Sequence, residues 1–337
     1  MSGFDTVAAF ERALGELREI DETARAAAAA RQEVLTKPRG SLGRLEEIAL
    51  FMAGWQGRAQ PRLERGRAVV FAGNHGVAAR GVSAFPPEVT VQMVANFEAG
   101  GAAINALAGA AGLELRVVAI DLDRPTADFV EAPAMSAEEC LDAINRGAAV
   151  VEPGIDLLVL GEMGIANSTS AAALSAASFG GTAADWVGPG TGVHGTAFRA
   201  KLDAVDAALA RHSIDATSAF EILRRLGGRE IAAMAGAVLA ARQARVPVLL
   251  DGFICCSAVA PLGRFNPEIA RHCLAGHCSA EPGHARLLGR LELTPILSLD
   301  MRLGEGSGAA VAAGIVRAAL AAHNQMASFA EAGVAAA

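Results

Sequence analysis

Five short, mostly apolar runs, each stopped by an acid or a glycine turn, constrain this chain more than any other feature. Residues 68–72 (AVVFA) stop at Gly73-Asn74-His75-Gly76, 113–120 at Asp121, and 155–160 (IDLLVL) at Gly161-Glu162. Residues 246–250 (VPVLL) stop at Asp251-Gly252, and 295–299 at Asp300, just ahead of Gly304-Glu305-Gly306. Runs of this length read as strands. Helical periodicity fills the gaps over 86–109 (broken at Gly100-Gly101), 137–150, 168–178, 196–211, 218–226 and 230–244. Apolar strands separated by helices make an α/β fold, a parallel sheet covered by helices on both faces. Ligands of such sheets bind beyond the carboxyl ends of the strands. The turns therefore bring His75, Glu162, Asp251 and Glu305 toward one edge, as a candidate active-site rim.

The ends of the chain read differently. Residues 4–30 carry one helical stripe, Pro38 and Gly40 interrupt it, and Ser41 is a candidate N-cap for a helix over 42–56. A last helix spans about 308–322. We expect residues 1–60 and 306–337 to form a smaller all-helical unit beside a catalytic unit over 61–305. Net charge is -7 without a basic cluster, which argues against a nucleic-acid partner. The five cysteines have no disulfide framework, and the amino terminus lacks a signal-type apolar core, so a cytoplasmic location is expected. The uncharged stretch 163–184 has the length of a membrane span, but its Gly, Ser, Thr and Asn content argues against one.

Three stretches carry candidate chemistry. Glu305 sits between two glycines, where backbone can approach a ligand and no neighbouring side chain shields the carboxylate. The segment from Gly161 to Ser170 follows a strand and opens a helix. Gly164, Ile165, Ala166, Asn167, Ser168 and Thr169 there suit a phosphate, because free N–H groups and the positive helix end face an anion. It is neither a Walker loop nor a dinucleotide fingerprint. A second glycine loop, 188–193 (GPGTGV), offers Gly190, Thr191 and Gly192 to a ribose or a phosphate, though a surface turn fits it equally. The stretch 272–284 (HCLAGHCSAEPGH) holds three His and two Cys in no zinc-ligand spacing, so no metal is expected. It reads instead as an oriented loop near substrate.

Taken together, KPRGSLGRLE, GNHGV, GVSAFP with VTVQM, NFEAGGAAIN, GEMGIANSTS, GPGTGV, DGFI, GHCSAEPGH and LDMRLGEGSGA resemble the nicotinate-nucleotide–dimethylbenzimidazole phosphoribosyltransferases, in family order from about residue 36 to 316. That resemblance implies a Rossmann-like sheet, a homodimer, no cofactor, and two small-molecule substrates, nicotinate mononucleotide and 5,6-dimethylbenzimidazole. It implies that Glu305 is the general base and that Glu162 and Lys201 line the same site. By family position it also makes Ser83 and Gln92 candidate contacts of the benzimidazole; Phe85, Met301 and Leu303 are candidate apolar walls from their side chains. Two positions depart from the family pattern. Ala166 stands where glycine is usual, and Asn74 where aspartate is usual, removing a charge that could orient His75. A hydrolase of the same nucleotide, or an inactive nucleotide-binding subunit, are the alternatives.

Overall fold

A computed structural model of the chain describes residues 3–190 and 192–335. Six strands form one wholly parallel sheet: β1 (Gly66–Ala72), β2 (Glu114–Ala119), β3 (Leu157–Met163), β4 (Val248–Leu250), β5 (Cys273–His277) and β6 (Pro295–Leu297), in the order β2-β1-β3-β4-β5-β6. Five of them are the apolar runs of the sequence. The sixth, β5, lies inside the His/Cys-rich stretch read above as a loop. Its residues CLAGH are all buried, so its cysteine and histidine fill space between the helical layers.

Alternate side chains of each strand enter different cores, as the twofold strand period requires. Val69, Phe71, Leu158, Leu160, Val248, Leu250 and Ala275 join one cluster. Helices Ala137–Ala149, Asn167–Phe179, Arg229–Ala244 and Phe253–Phe265 close it. Ala68, Val70, Leu157, Val159, Leu249 and Leu274 join the other, under helices Arg44–Gln56, Ala103–Ala110 and Ser307–Gln325. The chain passes from β2 across β1 to β3, and the crevice where that direction reverses is where a doubly wound sheet accepts a ligand.

The ends of the chain divide between the two faces. Phe10 and Leu14 of helix Val7–Gly15 pack into the first core. Helix Ser307–Gln325 lies directly on the sheet in the second, through Ala309, Ala310, Ala313 and Val316. An isolated bridge between Leu35 and Ser328 ties the two ends together. The single helix expected over 4–30 is two, Val7–Gly15 and Glu22–Val34, because the Asp21 carboxylate accepts the Ala24 N–H at 2.9 Å and starts the second afresh. Ser41 is not the cap expected of it; the third helix begins at Arg44 after Gly43, whose φ of 53° suits glycine. The uncharged stretch 163–184 contains the buried helix Asn167–Phe179, and among the described residues no helix is long and apolar enough to cross a membrane.

Candidate active site

A cavity of about 380 Å³ opens past the carboxyl ends of β3, β4, β5 and β6. Glu305 reaches it from a turn that no ordinary sequence would make. Gly304, Glu305 and Gly306 have φ of 88°, 64° and 86°, three left-handed residues in succession. The turn lies flat on β3, because a Cβ at Gly161 would stand 2.5 Å from the Glu305 carbonyl oxygen. The Glu305 side chain is buried, and its Oε2 has no hydrogen-bond partner. Burial pushes its pKa up, opposed by a backbone hydrogen bond at Ile104. A desolvated carboxylate with an unused oxygen is primed to accept a proton.

Glu162, the next-to-last residue of β3, lies across Gly304 from it; a Cβ on that glycine would meet Glu162 Oε1 at 2.5 Å. Burial raises its pKa to about 8, Asn167 Nδ2 opposes this by donating to Oε2, and the negative charges of Glu230, Asp251 and Glu305 add to the rise. At neutral pH Glu162 is therefore mostly a neutral acid and a hydrogen-bond donor. Two neighbouring carboxyls with different environments can divide acid and base roles.

The opposite wall is cationic. Lys201 Nζ donates to Ser168 Oγ at 2.9 Å and to the Gly188 carbonyl at 2.8 Å, tying the second glycine loop to the start of helix Asn167–Phe179. The side chain is 1 % exposed. Desolvation lowers its pKa to about 8, with Glu281 opposing, so it stays largely charged at neutral pH. The helix beside it begins without a side-chain cap, its N-cap Ala166 at φ 73°. An alanine there bears a left-handed strain of about 1–2 kcal/mol that glycine would not, and this is the departure from the family pattern noted above. An uncapped helix start beside a buried ammonium group suits a phosphate.

Of the residues singled out in the sequence, the cavity brings together Ser83, Phe85, Glu162, Gly164, Ile165, Ala166, Asn167, Ser168, Gly190, Lys201, Leu303 and Glu305. Gln92 is exposed on helix Glu88–Glu98 and does not line it. Nor does Met301, whose carbonyl accepts the Ala280 N–H. Thr169 is fully buried with its hydroxyl unpaired, and Gly192 also lies off the wall. Thr191 falls outside the described residues. Met93, Val82 and Val89 from the segment after β1, and Ser279, Glu281 and Arg302, line the cavity without having been singled out. Glu281 stands in the GHCSAEPGH stretch, where no local pattern marks it as a buried acid.

The expected rim needs one correction. His75 and Asp251 lie beneath the cavity, each 1 % exposed, and do not line it. His75 Nε2 is 2.5 Å from Glu230 Oε1 and its Nδ1 3.0 Å from Ser170 Oγ, so buried partners hold it under the floor. Asn74 turns away and donates to the Leu122 carbonyl at 2.8 Å; Glu230 supplies the orienting carboxylate. The histidines of 272–284 have separate partners. His272 lies between the carbonyls of Ile269 and Val238, and His284 Nδ1 accepts the Ser279 N–H at 2.8 Å. Among the described residues no group of three His, Cys, Asp or Glu side chains is placed to hold a metal ion.

The family model described as Phosphoribosyltransferase matches residues 17–334. The chain is 66% identical to the nicotinate-nucleotide–dimethylbenzimidazole phosphoribosyltransferase of Novosphingobium aromaticivorans, over 99% of both chains. It is 60% identical to the protein of the same name from Methylorubrum extorquens, over 93% of this chain and 92% of the other. The crystal structure of the Thermus thermophilus protein of that name superposes with a TM-score of 0.87 at 40% identity, covering 94% of this chain and 100% of that one.

Proposed function

Because the chain belongs to the nicotinate-nucleotide–dimethylbenzimidazole phosphoribosyltransferase family, we propose the following division of labour in its site. The reaction is phosphoribosyl transfer from nicotinate mononucleotide to 5,6-dimethylbenzimidazole, giving α-ribazole 5′-phosphate and nicotinate, a step of cobalamin assembly. The single observation that carries the residue assignment is one cavity with the buried carboxyls Glu305 and Glu162 on one side and Lys201 with an uncapped helix start on the other.

The phosphate sits against Lys201, Ser168 and the turn from Gly164 to Asn167, which fixes the sugar and contributes positioning. Gly190 closes on the same end of the substrate. The benzimidazole lies at the other end, against Ser83, Phe85, Met93 and Leu303. One ring nitrogen attacks C1′ from the face opposite nicotinate, so configuration inverts from β to α. The C1′–pyridinium bond breaks, and its electron pair neutralises the nicotinate ring nitrogen. Positive charge growing on the benzimidazole acidifies its other N–H, and Glu305 takes that proton. Glu162, being neutral, does not compete for the proton and offers a donor instead. The leaving group already carries positive charge, so the chemistry calls for no metal.

The experiment is mass spectrometry of products from nicotinate mononucleotide mixed with a panel of bases, in the presence of EDTA. An α-riboside phosphate is the expected product. Free ribose phosphate without base incorporation would indicate a hydrolase, and binding without turnover for every base an inactive subunit.

We further propose a homodimer, as the resemblance implies, and a cytoplasmic location, as the cysteine usage and the amino-terminal sequence suggest. Exposed Phe85 and Leu303 at the cavity wall support a covering partner there. A sedimentation mass of a single chain would overturn the homodimer.

A further inference from the structure

Glu305 carries its carboxyl on a backbone that resists the conformation it holds. An L residue in the left-handed region costs about 1–2 kcal/mol, and neighbouring glycines make the turn possible without making it stay. The group that holds it comes from the turn after β4. Asp251 Oδ2 accepts the Gly306 N–H at 3.1 Å, and Oδ1 accepts the Ala309 N–H at 2.8 Å. These two donors bracket the start of helix Ser307–Gln325, whose own N-cap, Gly306, has no side chain to offer. Asp251 thus caps that helix from another strand, and does so at the residue next to Glu305. It is 1 % exposed and does not line the cavity, so it does not meet substrate. Gly161 presses on the turn from β3, and His277 Nε2 of β5 lies 3.5 Å from Asp251 Oδ1.

We propose that Asp251 is the positioning residue of Glu305, acting on the reaction rate chiefly through the place and direction of that carboxylate. The proposal rests on the reading of Glu305 as the base. Asp251→Asn keeps one acceptor oxygen and turns an NH₂ group toward one of the two N–H donors, so one side of the clamp opens.

A double-mutant cycle with Glu305→Gln tests it. In the wild-type background Asp251→Asn should lower kcat by about 10²-fold, the cost of a misplaced catalytic group, with KM for nicotinate mononucleotide close to that of the parent. In the Glu305→Gln background it should cost little more, since the group it positions is already gone. Equal losses in both backgrounds, a change confined to KM, or unimpaired turnover would each overturn the proposal. The two readings fail separately. Slow Glu305→Gln beside unimpaired Asp251→Asn removes the positioning role alone, whereas normal turnover in Glu305→Gln removes the base and its positioner together. If Asp251→Asn does not fold, judged by calorimetric binding of nicotinate mononucleotide, Asp251→Ser takes its place with the same expected pattern.

Discussion

Glu305→Gln is expected to bind nicotinate mononucleotide normally and to lose turnover by about 10²–10⁴-fold, the usual worth of a positioned general base. Glutamine keeps the shape of the side chain and its place above Gly161, so the left-handed turn and the cavity wall survive. What it lacks is a site for the benzimidazole proton. The same assignment fixes the sign of a pH effect. Burial raises the Glu305 pKa, so the active carboxylate is lost as pH falls through that raised value, and kcat/KM should decline on the acid side. In Glu305→Gln that acid limb should be missing from whatever activity is left. Calorimetry for the nucleotide and steady-state rates across pH are the measurements. A variant with near-parental turnover would take Glu305 out of the base role, whatever its pH profile.

Lys201→Met is expected to act on the other substrate end. Methionine fills most of the lysine stem's space and removes only the ammonium group. Hydrogen bonds to a charged group are worth about 1.5–3 kcal/mol when buried. With 1.4 kcal/mol per factor of ten, KM for nicotinate mononucleotide should rise about 10–100-fold. The Ser168 hydroxyl and the Gly188 carbonyl lose their shared donor as well, so some stability should go with the affinity. KM for dimethylbenzimidazole should move far less, because the apolar wall of Phe85, Met93 and Leu303 is untouched. An unchanged nucleotide KM, or an equal rise for both substrates, would dissociate Lys201 from the phosphate.

The sequence by itself determined the α/β class, five of the six strands, and the edge at which they end. Those features are written within five to fifteen consecutive residues, where apolar runs, helical period and turn glycines act on their own neighbourhood. It also carried Glu305 and Glu162, because a strand end announces itself locally, and the motif order gave the family. Only the tertiary structure decided that CLAGH is a strand, since a short run holding Cys, Gly and His takes its conformation from the layers that bury it. Only it paired His75 with Glu230, 155 residues away, and set Asp251 beneath the turn of Glu305. The same holds for the environments behind the proposed division of roles between the two glutamates. Burial and nearby charge shift those carboxyls, and both depend on which distant segments meet, so no window of sequence contains them.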